Sequence, residues 1–311
     1  MLFRSGQALP LLKRGVPVSI VHLENVSYPE TWKDVKVLVL SYSNMKPATA
    51  DAHDYLAKWV KSGGVLVYCG RDNDPFQTVQ EWWNTGSNNY KAPSEHLFTL
   101  LGLEKNCADG IYSCGKGTVA VLRQDPKEFV LEKANDSRFV DLVKQMYQQK
   151  AGAGQLVFKN HFQLNRGPFE IISVMDESVS SDPYLINGKL IDLFDPALPV
   201  LTQKKILPGE QAFLFNVEKV KNPQAPQVLA SACRVYDEKT TKKSYSFVAK
   251  SPINTTNVMR ILLPSSPKKT TVTDASGAVI TGVKSEWDAL SRTALLSFEN
   301  NPDGVNVLLE W

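Results

Sequence analysis

The stretch GGVLVYCG at residues 63–70 decides the fold of the first half of the chain. Two glycines end a helical pattern, and the next five residues, Val65–Cys69, are all apolar or aromatic. Because neither face of this run is polar, it predicts a fully buried strand of a parallel sheet. A second run of the same kind, VKVLVLSY at residues 35–42, precedes it and predicts another strand of that sheet.

Helical patterns alternate with these strands and predict an α/β domain whose parallel sheet is covered on both faces. A doubly wound sheet normally opens with a strand, whereas this chain begins inside a helix. The pattern therefore lacks its leading strand, and we expect the chain to be the tail of a longer polypeptide. The predicted helices are residues 3–14, a helix with Thr49 as N-cap that ends at Gly63 and Gly64, Pro93–Leu101 and residues 137–149; the further strands are residues 16–23 and 117–123.

The pattern changes near Leu156, where short apolar or alternating stretches begin to recur without helices between them. Turn-forming pairs such as Asn187-Gly188 and Pro208-Gly209 separate these stretches, which is typical of an antiparallel β-sandwich. A chain of 311 residues has room for two domains. We expect an α/β domain at residues 1–155 and a β-sandwich at residues 156–311.

Composition excludes several classes of partner. Net charge is +3 and no dense run of lysine or arginine occurs, so the sequence predicts no nucleic-acid partner. The apolar runs are too short to cross a membrane, and the first fifteen residues do not resemble a secretory signal, which leaves the localisation open. No cofactor is predicted, because CGKGT (residues 114–118) departs from a phosphate-binding loop and no dinucleotide fingerprint follows a strand.

The four cysteines pose two separate questions. An activated Cys69 would need a strained strand-to-helix turn of the form Gly-x-Cys-x-Gly and a nearby base, and residues 67–71 read Val-Tyr-Cys-Gly-Arg instead. The sequence therefore favours a Cys69 that packs as a small apolar residue at the end of a strand, and no catalytic residue is predicted. Cys107 and Cys114 flank a turn-like ADGIYS, and pairing across a hairpin stays open beside two free thiols.

Polar residues follow the strand that ends at Cys69, and paired tryptophans follow them. Ligands of open α/β sheets bind beyond the carboxyl ends of the strands, and carboxylates beside an aromatic face suit a sugar. The alternative is a solvated loop with a helix start at Asp74 and one tryptophan packed in a core or a subunit contact. The residues predicted to contact a ligand are Arg71, Asp72, Asp74, Trp82 and Trp83.

Acidic loops in the second half raise the question of a metal. Residues 175–178, Asp192 and Asp195 place carboxylates near one another in sequence, and calcium prefers such oxygen ligands. Loops of soluble proteins are acidic for ordinary reasons as well, so the sequence predicts no metal site.

Two stretches resemble a known family: LLKRGVPVSIVHLEN (residues 11–25) and WKDVKVLVLSYSNMKPATADAHDYLAKWVKSGGVLVYCG (residues 32–70). They are similar to the glutamine-amidotransferase-like domain appended to bacterial β-galactosidases, the β-galactosidase trimerisation domain. The resemblance covers about residues 9–70 and implies a flavodoxin-like, class I amidotransferase-like sheet that lacks the nucleophile and serves assembly. GPFEIISVMDES and LIDLFDPALPV also look like the β-sandwich modules that follow such domains in carbohydrate-active proteins.

In that family the catalytic carboxylates lie in an upstream TIM barrel, which this chain does not contain. The resemblance therefore implies a non-catalytic C-terminal region of a glycoside-hydrolase-like protein. Its expected partners are further copies of the chain or an upstream catalytic domain, through a surface that includes Trp82, Trp83 and Tyr90. The alternatives are a stand-alone carbohydrate-binding protein and a hydrolase or amidotransferase that acts through Cys69.

Overall fold

The structure is a computed structural model that describes residues 2–132 and 135–311, and the side chains within those ranges from Gly6 onward. The chain divides into two compact units, Met1–Asn160 and His161–Trp311, each of which is described by itself. The first unit is α/β and the second contains antiparallel sheets, as the sequence predicted at the level of fold class. In the described part of the chain, no helix has the length and apolar character that a membrane span requires.

The first unit contains a four-stranded mixed sheet. Its strands lie in the order β1-β2-β4-β3; β1, β2 and β4 are parallel, and β3 is antiparallel to β4. The strands are β1 (Leu38–Leu40), β2 (Val65–Cys69), β3 (Gly110–Cys114) and β4 (Gly117–Leu122). The helices are α1 (Leu2–Leu12), α2 (Asp51–Lys61), α3 (Pro93–Leu101), α4 (Glu128–Leu131) and α5 (Ser137–Gln145), which continues as a π-helix over Met146–Lys150.

Helices cover both faces of this sheet. Alternate side chains of β2 point in opposite directions, so this strand contacts the helices on both faces. Leu66 and Tyr68 pack with α2 and α3 on one face. Val65, Val67 and Cys69 pack with α1, α4 and α5 on the other face. Every residue of β2 is buried, which confirms the strand predicted from GGVLVYCG.

A close approach between α2 and β4 depends on Gly117. A Cβ atom at this position would lie 1.9 Å from the carbonyl oxygen of Val60 and 2.3 Å from that of Gly64. Only glycine fits where a helix end meets a strand start at this separation. The parallel pairing of β2 with β4 therefore depends on the absence of a side chain at Gly117.

Two strand predictions for the first unit were wrong in detail. Residues 16–23 were predicted as a strand, but they form no ladder, and a short 3-10 helix begins at Leu23. Val18 and Ile20 are exposed there, since β1 is an edge strand that is hydrogen-bonded to β2 alone among the described strands. The strand predicted at residues 35–42 is limited to Leu38–Leu40.

Three further differences concern two helix ends and one strand. The N-cap of α2 is Ala50, without a side-chain cap, and not the predicted Thr49. The strand β3 was not predicted, because its residues alternate between half-buried and exposed and the turn at Gly115 looked like a loop. The helix α1 ends two residues before the predicted Arg14, and Gly15 follows with φ 68°.

The second unit begins with a five-stranded antiparallel sheet in the order β5-β6-β9-β7-β8. The two four-stranded antiparallel sheets that follow have the orders β10-β13-β16-β15 and β11-β12-β17-β14. The first sheet comprises β5 (His161–Arg166), β6 (Phe169–Val174), β7 (Tyr184–Asp192), β8 (Val200–Ile206) and β9 (Gln211–Asn216). The other two comprise β10 (Gln227–Ser231), β11 (Arg234–Thr240), β12 (Ser244–Lys250), β13 (Thr256–Leu262), β14 (Lys269–Asp274), β15 (Lys284–Asp288), β16 (Thr293–Glu299) and β17 (Val305–Glu310).

The two four-stranded sheets share one core. Phe247 of β12 and Leu309 of β17 pack with Ile261 of β13 and Leu296 of β16 in a single apolar cluster. Side chains from two sheets in one cluster are the arrangement of a β-sandwich. The predicted sandwich thus occupies residues 227–310, whereas the five-stranded sheet before it was not distinguished in the sequence.

Candidate functional site

Polar side chains from three strands meet at one edge of the α/β unit. Ser43 follows β1, Asp72 follows β2, and Arg123 and Asp125 follow β4. Because these three strands are parallel, their carboxyl ends lie at the same edge, where open α/β sheets bind ligands. We call these four residues the strand-end cluster. Ser43 Oγ donates to Asp125 Oδ1 at 2.7 Å, and this hydrogen bond joins the end of β1 to the end of β4.

Asp72 is the centre of this cluster. Its carboxylate accepts from Tyr68 Oη, from Ser94 Oγ at 2.7 Å and from Arg123 Nη1 at 2.6 Å. Its backbone has φ 57°, a region that aspartate tolerates better than most residues. The predicted ligand carboxylate therefore holds strand ends and a helix together, and its acceptor sites face protein donors.

Asp74 organises the loop that follows. Its carboxylate accepts from Lys46 Nζ at 2.7 Å, Asn44 N at 3.2 Å, Phe76 N at 3.0 Å and Gln77 Nε2 at 2.8 Å. Burial alone would raise the pKa of Asp74, but the hydrogen bonds from Lys46 and the backbone lower the pKa overall. The predicted helix start at Asp74 is present as a short 3-10 helix at Pro75–Thr78.

The remaining predicted residues occupy three different environments. Arg71 is exposed and pairs with Glu128. Trp83 is 1% exposed and lies in the protein interior. Trp82 is half-buried, and its Nε1 donates to the carbonyl oxygen of Pro47 at 2.9 Å. The structure thus places all five predicted residues at one end of the unit, but it removes Trp83 from the surface.

A chain of three hydrogen-bonded side chains beside Trp82 was not predicted from the sequence. Tyr42 Oη lies 2.6 Å from His53 Nε2, and His53 Nδ1 lies 2.9 Å from His96 Nδ1. Burial lowers the pKa of His53 from 6.5 to about 3, and His96 adds to this by charge repulsion. Burial also lowers the pKa of His96. A signal existed in the sequence, because His53 falls on the apolar face of α2 with Ala52 and Leu56.

Cys69 is fully buried at the end of β2, within the apolar cluster on the α1 and α5 face. Burial raises the pKa of its thiol well above the ordinary value, with a smaller contribution from Asp109. A nucleophilic cysteine requires the opposite environment, an accessible thiolate next to a base. Cys107 and Cys114 are buried free thiols, so the pairing left open by the sequence is absent.

Two of the acidic residues considered for a metal, Asp192 and Asp195, are engaged in local contacts. Asp192 pairs with Lys204 at 2.8 Å, and Asp195 accepts from the backbone nitrogen of Ala197 at 2.9 Å. Within residues 2–132 and 135–311, no group of three or more histidine, cysteine or carboxylate side chains is placed to hold a metal ion. The calcium alternative therefore gains no support from these loops.

A cleft of about 380 Å³ also opens on the α/β unit, beside α5. Asp109, Ile111 and Arg138 line it, and Asp109 pairs with Arg138 at 2.5 Å across it. The cleft shares no residue with those predicted to contact a ligand.

The chain has only distant similarity to solved structures. No protein-family model and no curated protein matches the chain. A GH31 dextranase from Flavobacterium johnsoniae, complexed with glucose, aligns with 86% of this chain at a TM-score of 0.25 and 8% identity. A cycloalternan-forming enzyme from Listeria monocytogenes, in complex with a pentasaccharide substrate, aligns with 88% at a TM-score of 0.20 and 6% identity.

This chain spans 38% and 32% of those two solved chains. TM-scores this low establish neither a shared fold nor a shared function. The fold alone defines the class of protein, an α/β unit followed by antiparallel β-sheets.

Proposed function

We propose that this chain is a non-catalytic accessory region of a glycoside-hydrolase-like protein and that its α/β unit serves assembly. In this proposal the unit is a flavodoxin-like, amidotransferase-like domain, and its partner is a second copy of the chain. The parallel strands β1, β2 and β4 follow one another in space as in sequence, as do the last strands of a flavodoxin-like order. The burial of Cys69 supports a domain without the amidotransferase nucleophile.

The observation that carries the assembly role is an exposed apolar surface beside Asp74. Met45, Phe76 and Val79 are 49%, 51% and 46% exposed, and we call them the apolar loop patch. Asn44 N and Phe76 N donate to the two oxygens of the same Asp74 carboxylate, which brings Met45 and Phe76 to one end of the unit. Exposed apolar side chains held on a fixed loop are typical of protein contact surfaces.

This patch replaces part of the surface expected from the sequence. Trp83 is buried and cannot contact a partner, and Trp82 and Tyr90 are half-buried against His96. In this proposal Trp82, Trp83 and Tyr90 pack under the loops as structural residues. The apolar loop patch makes the contact with the second copy of the chain.

Sedimentation velocity across a concentration series tests the proposal. We expect the wild-type chain to self-associate and the M45S/F76S variant to associate about 30-fold more weakly or more, as expected for central interface residues. Phe194→Ser is the matched control, because Phe194 is 61% exposed in the second unit. A wild-type chain that stays monomeric at the highest concentration would overturn the assembly role.

A further inference from the structure

A groove on the β-sandwich carries two cations that form no ion pair with an acidic residue in the part of the chain that the structure describes. It has a volume of about 800 Å³, and Arg234 and Lys250 both line it. No aspartate or glutamate is among its lining residues. The acids nearest in sequence, Asp237 on β11 and Asp303 beside Pro302, do not line the groove and form no ion pair with either cation among the described residues.

The register of the sheet forces these two charges together. Arg234 of β11 lies directly opposite Lys250 of β12. Like charges at directly opposed positions of an antiparallel pair are destabilising. A cleft lined by one sign of charge also concentrates ions of the opposite sign. The Arg234–Lys250 pair therefore destabilises the sandwich when the groove is empty, and it stabilises the sandwich when an anion is bound between the two cations.

Local packing leaves room for the aliphatic part of the lysine. Gly304 has φ 118°, and a Cβ atom there would lie 2.9 Å from Val248 Cγ1 and 3.4 Å from Lys250 Cε. The aliphatic part of Lys250 thus lies over a glycine that leaves it room. Its Nζ atom is 6.0 Å from the ring centroid of Tyr236. The ammonium therefore lies near an aromatic ring at the groove.

The rest of the groove is apolar apart from two serine hydroxyls and the phenol of Tyr236. Tyr236 and Ile253 are 43% and 60% exposed, and Pro302 lies beside them in the lining. Ser231 Oγ donates to the carbonyl oxygen of Cys233 at 2.8 Å, and Ser251 Oγ donates to that of Ala232 at 3.2 Å. Each serine oxygen keeps its acceptor sites for a ligand hydroxyl. An aromatic face beside hydroxyl acceptors suits the C–H face and the hydroxyls of a sugar ring.

We propose that this groove binds a sugar that carries a carboxylate or a sulfate. The anionic group lies between Arg234 and Lys250, and the sugar ring lies against Tyr236. This inference is independent of the assembly role, because the groove belongs to the second unit and the apolar loop patch belongs to the first.

Isothermal titration of the full chain tests the proposal with three probes of similar length: trigalacturonate, a sulfated carrageenan oligosaccharide that has no carboxylate, and neutral maltotriose. We expect at least one anionic probe to bind and maltotriose not to bind, and the preferred anion identifies the charged group. Arg234→Gln and Lys250→Gln are each expected to weaken binding about tenfold or more, through loss of a charge-assisted hydrogen bond. Lys284→Gln, an exposed lysine of β15 outside the groove, is the matched control.

Two further measurements separate a sugar site from a bare charged surface. Tyr236→Ala is expected to weaken the anionic sugar several-fold and to leave the affinity for inorganic sulfate unchanged. The bound sugar is expected to slow alkylation of Cys233, which lines the groove and is half-buried. Absence of binding by both anionic sugars would overturn the proposal, and so would equal affinity for inorganic sulfate or for an acidic peptide. Circular dichroism confirms that each variant is folded.

Discussion

Charged side chains at the strand ends of the α/β unit have partners of opposite charge, whereas the two cations in the groove of the β-sandwich face each other. Asp72 and Asp74 each accept at least three hydrogen bonds, and each faces a cation. Arg234 and Lys250 face each other, and no described carboxylate lines the groove with them. A charge whose partners all come from the protein stabilises the fold, whereas a charge left without a partner is available to a ligand. Acidic residues at a strand end are therefore a weaker sign of a ligand site than unmatched cations in a groove.

The largest expected difference between the two regions is in thiol reactivity. Cys69 is fully buried in a core strand, and Cys233 is half-buried at the groove. Because a core strand exposes its side chains only on near-global opening, Cys69 should react with iodoacetamide at least about 1,000-fold more slowly than Cys233. Mass spectrometry of the native protein measures both rates, and unfolding in urea, where all four cysteines should react, is the control. Comparable native rates would contradict the buried position of Cys69.

Removal of the Asp72 charge should destabilise the α/β unit strongly. Asp72→Asn keeps the side-chain shape and tolerates the positive φ, but it leaves Arg123 without its carboxylate. We expect a loss of about 2–4 kcal/mol in the free energy of unfolding, somewhat below the range for a fully buried pair because Arg123 is partly exposed. Urea denaturation measures it.

Asp303→Asn is the matched control for this substitution. Asp303 is exposed in a turn of the sandwich, and exposed changes of this kind usually alter stability by less than about 0.5 kcal/mol. Equal effects of the two substitutions would mean that Asp72 holds no more of the structure together than an exposed turn residue does.

Stability should fall with acidity because of His53. Its pKa is lowered from 6.5 in the absence of burial to about 3 in the folded protein, so the unfolded chain binds the proton first. The contribution is fully present above about pH 6.5 and is lost progressively as pH falls towards 3. At pH 5 the expected loss relative to pH 7 is about 2 kcal/mol, and His96 acts in the same direction.

Urea denaturation at pH 7 and at pH 5 checks this dependence on the wild-type chain and on His53→Gln. Glutamine cannot take up a proton, so most of the difference between the two pH values should disappear. A wild-type chain with equal stability at both values would show that the buried Tyr42–His53–His96 contacts do not resist protonation.

The smallest effect should have the opposite sign. Lys250→Met keeps the aliphatic stem over Gly304 and removes the charge that faces Arg234. We expect the free energy of unfolding to rise by about 0.2–1 kcal/mol without ligand, as expected for relief of an opposed like-charge pair. Lys284→Met, which faces Ser297 across its strand pair, should leave it nearly unchanged. A loss of stability in Lys250→Met would mean that the charge is already balanced within the sandwich.

Much of the fold could be predicted from local signals. The bounds of β2 and α3 are those predicted, since paired glycines precede one and a proline begins the other. Residues 16–23 were not predictable in the same way, because an apolar stretch becomes a strand only where another strand offers hydrogen bonds. No neighbour does so beyond β1 among the described residues.

The chemistry of the two regions depended on contacts that a sequence does not contain. Asp72, Asp74 and Trp82 were identified as neighbours of a strand end. Their hydrogen bonds to Ser94, Lys46 and Pro47, respectively, form only when the helices and loops are packed. The facing of Arg234 and Lys250 depends on the register between β11 and β12, including the irregularity after Tyr236. Register of this kind is set by the turn and by the core face together.

The outer position of β11 has a consequence for solubility. This strand lies at the edge of its sheet, where unpaired backbone groups could recruit a strand from another molecule. Its sequence RVYDEKT is densely charged, and the ladder is interrupted between Tyr236 and Lys239. Charges and irregularities on an edge strand protect a sheet against aggregation. Substitutions that neutralise this strand to study the groove therefore also remove part of its protection, and their solubility is best judged against changes on a central strand such as β17.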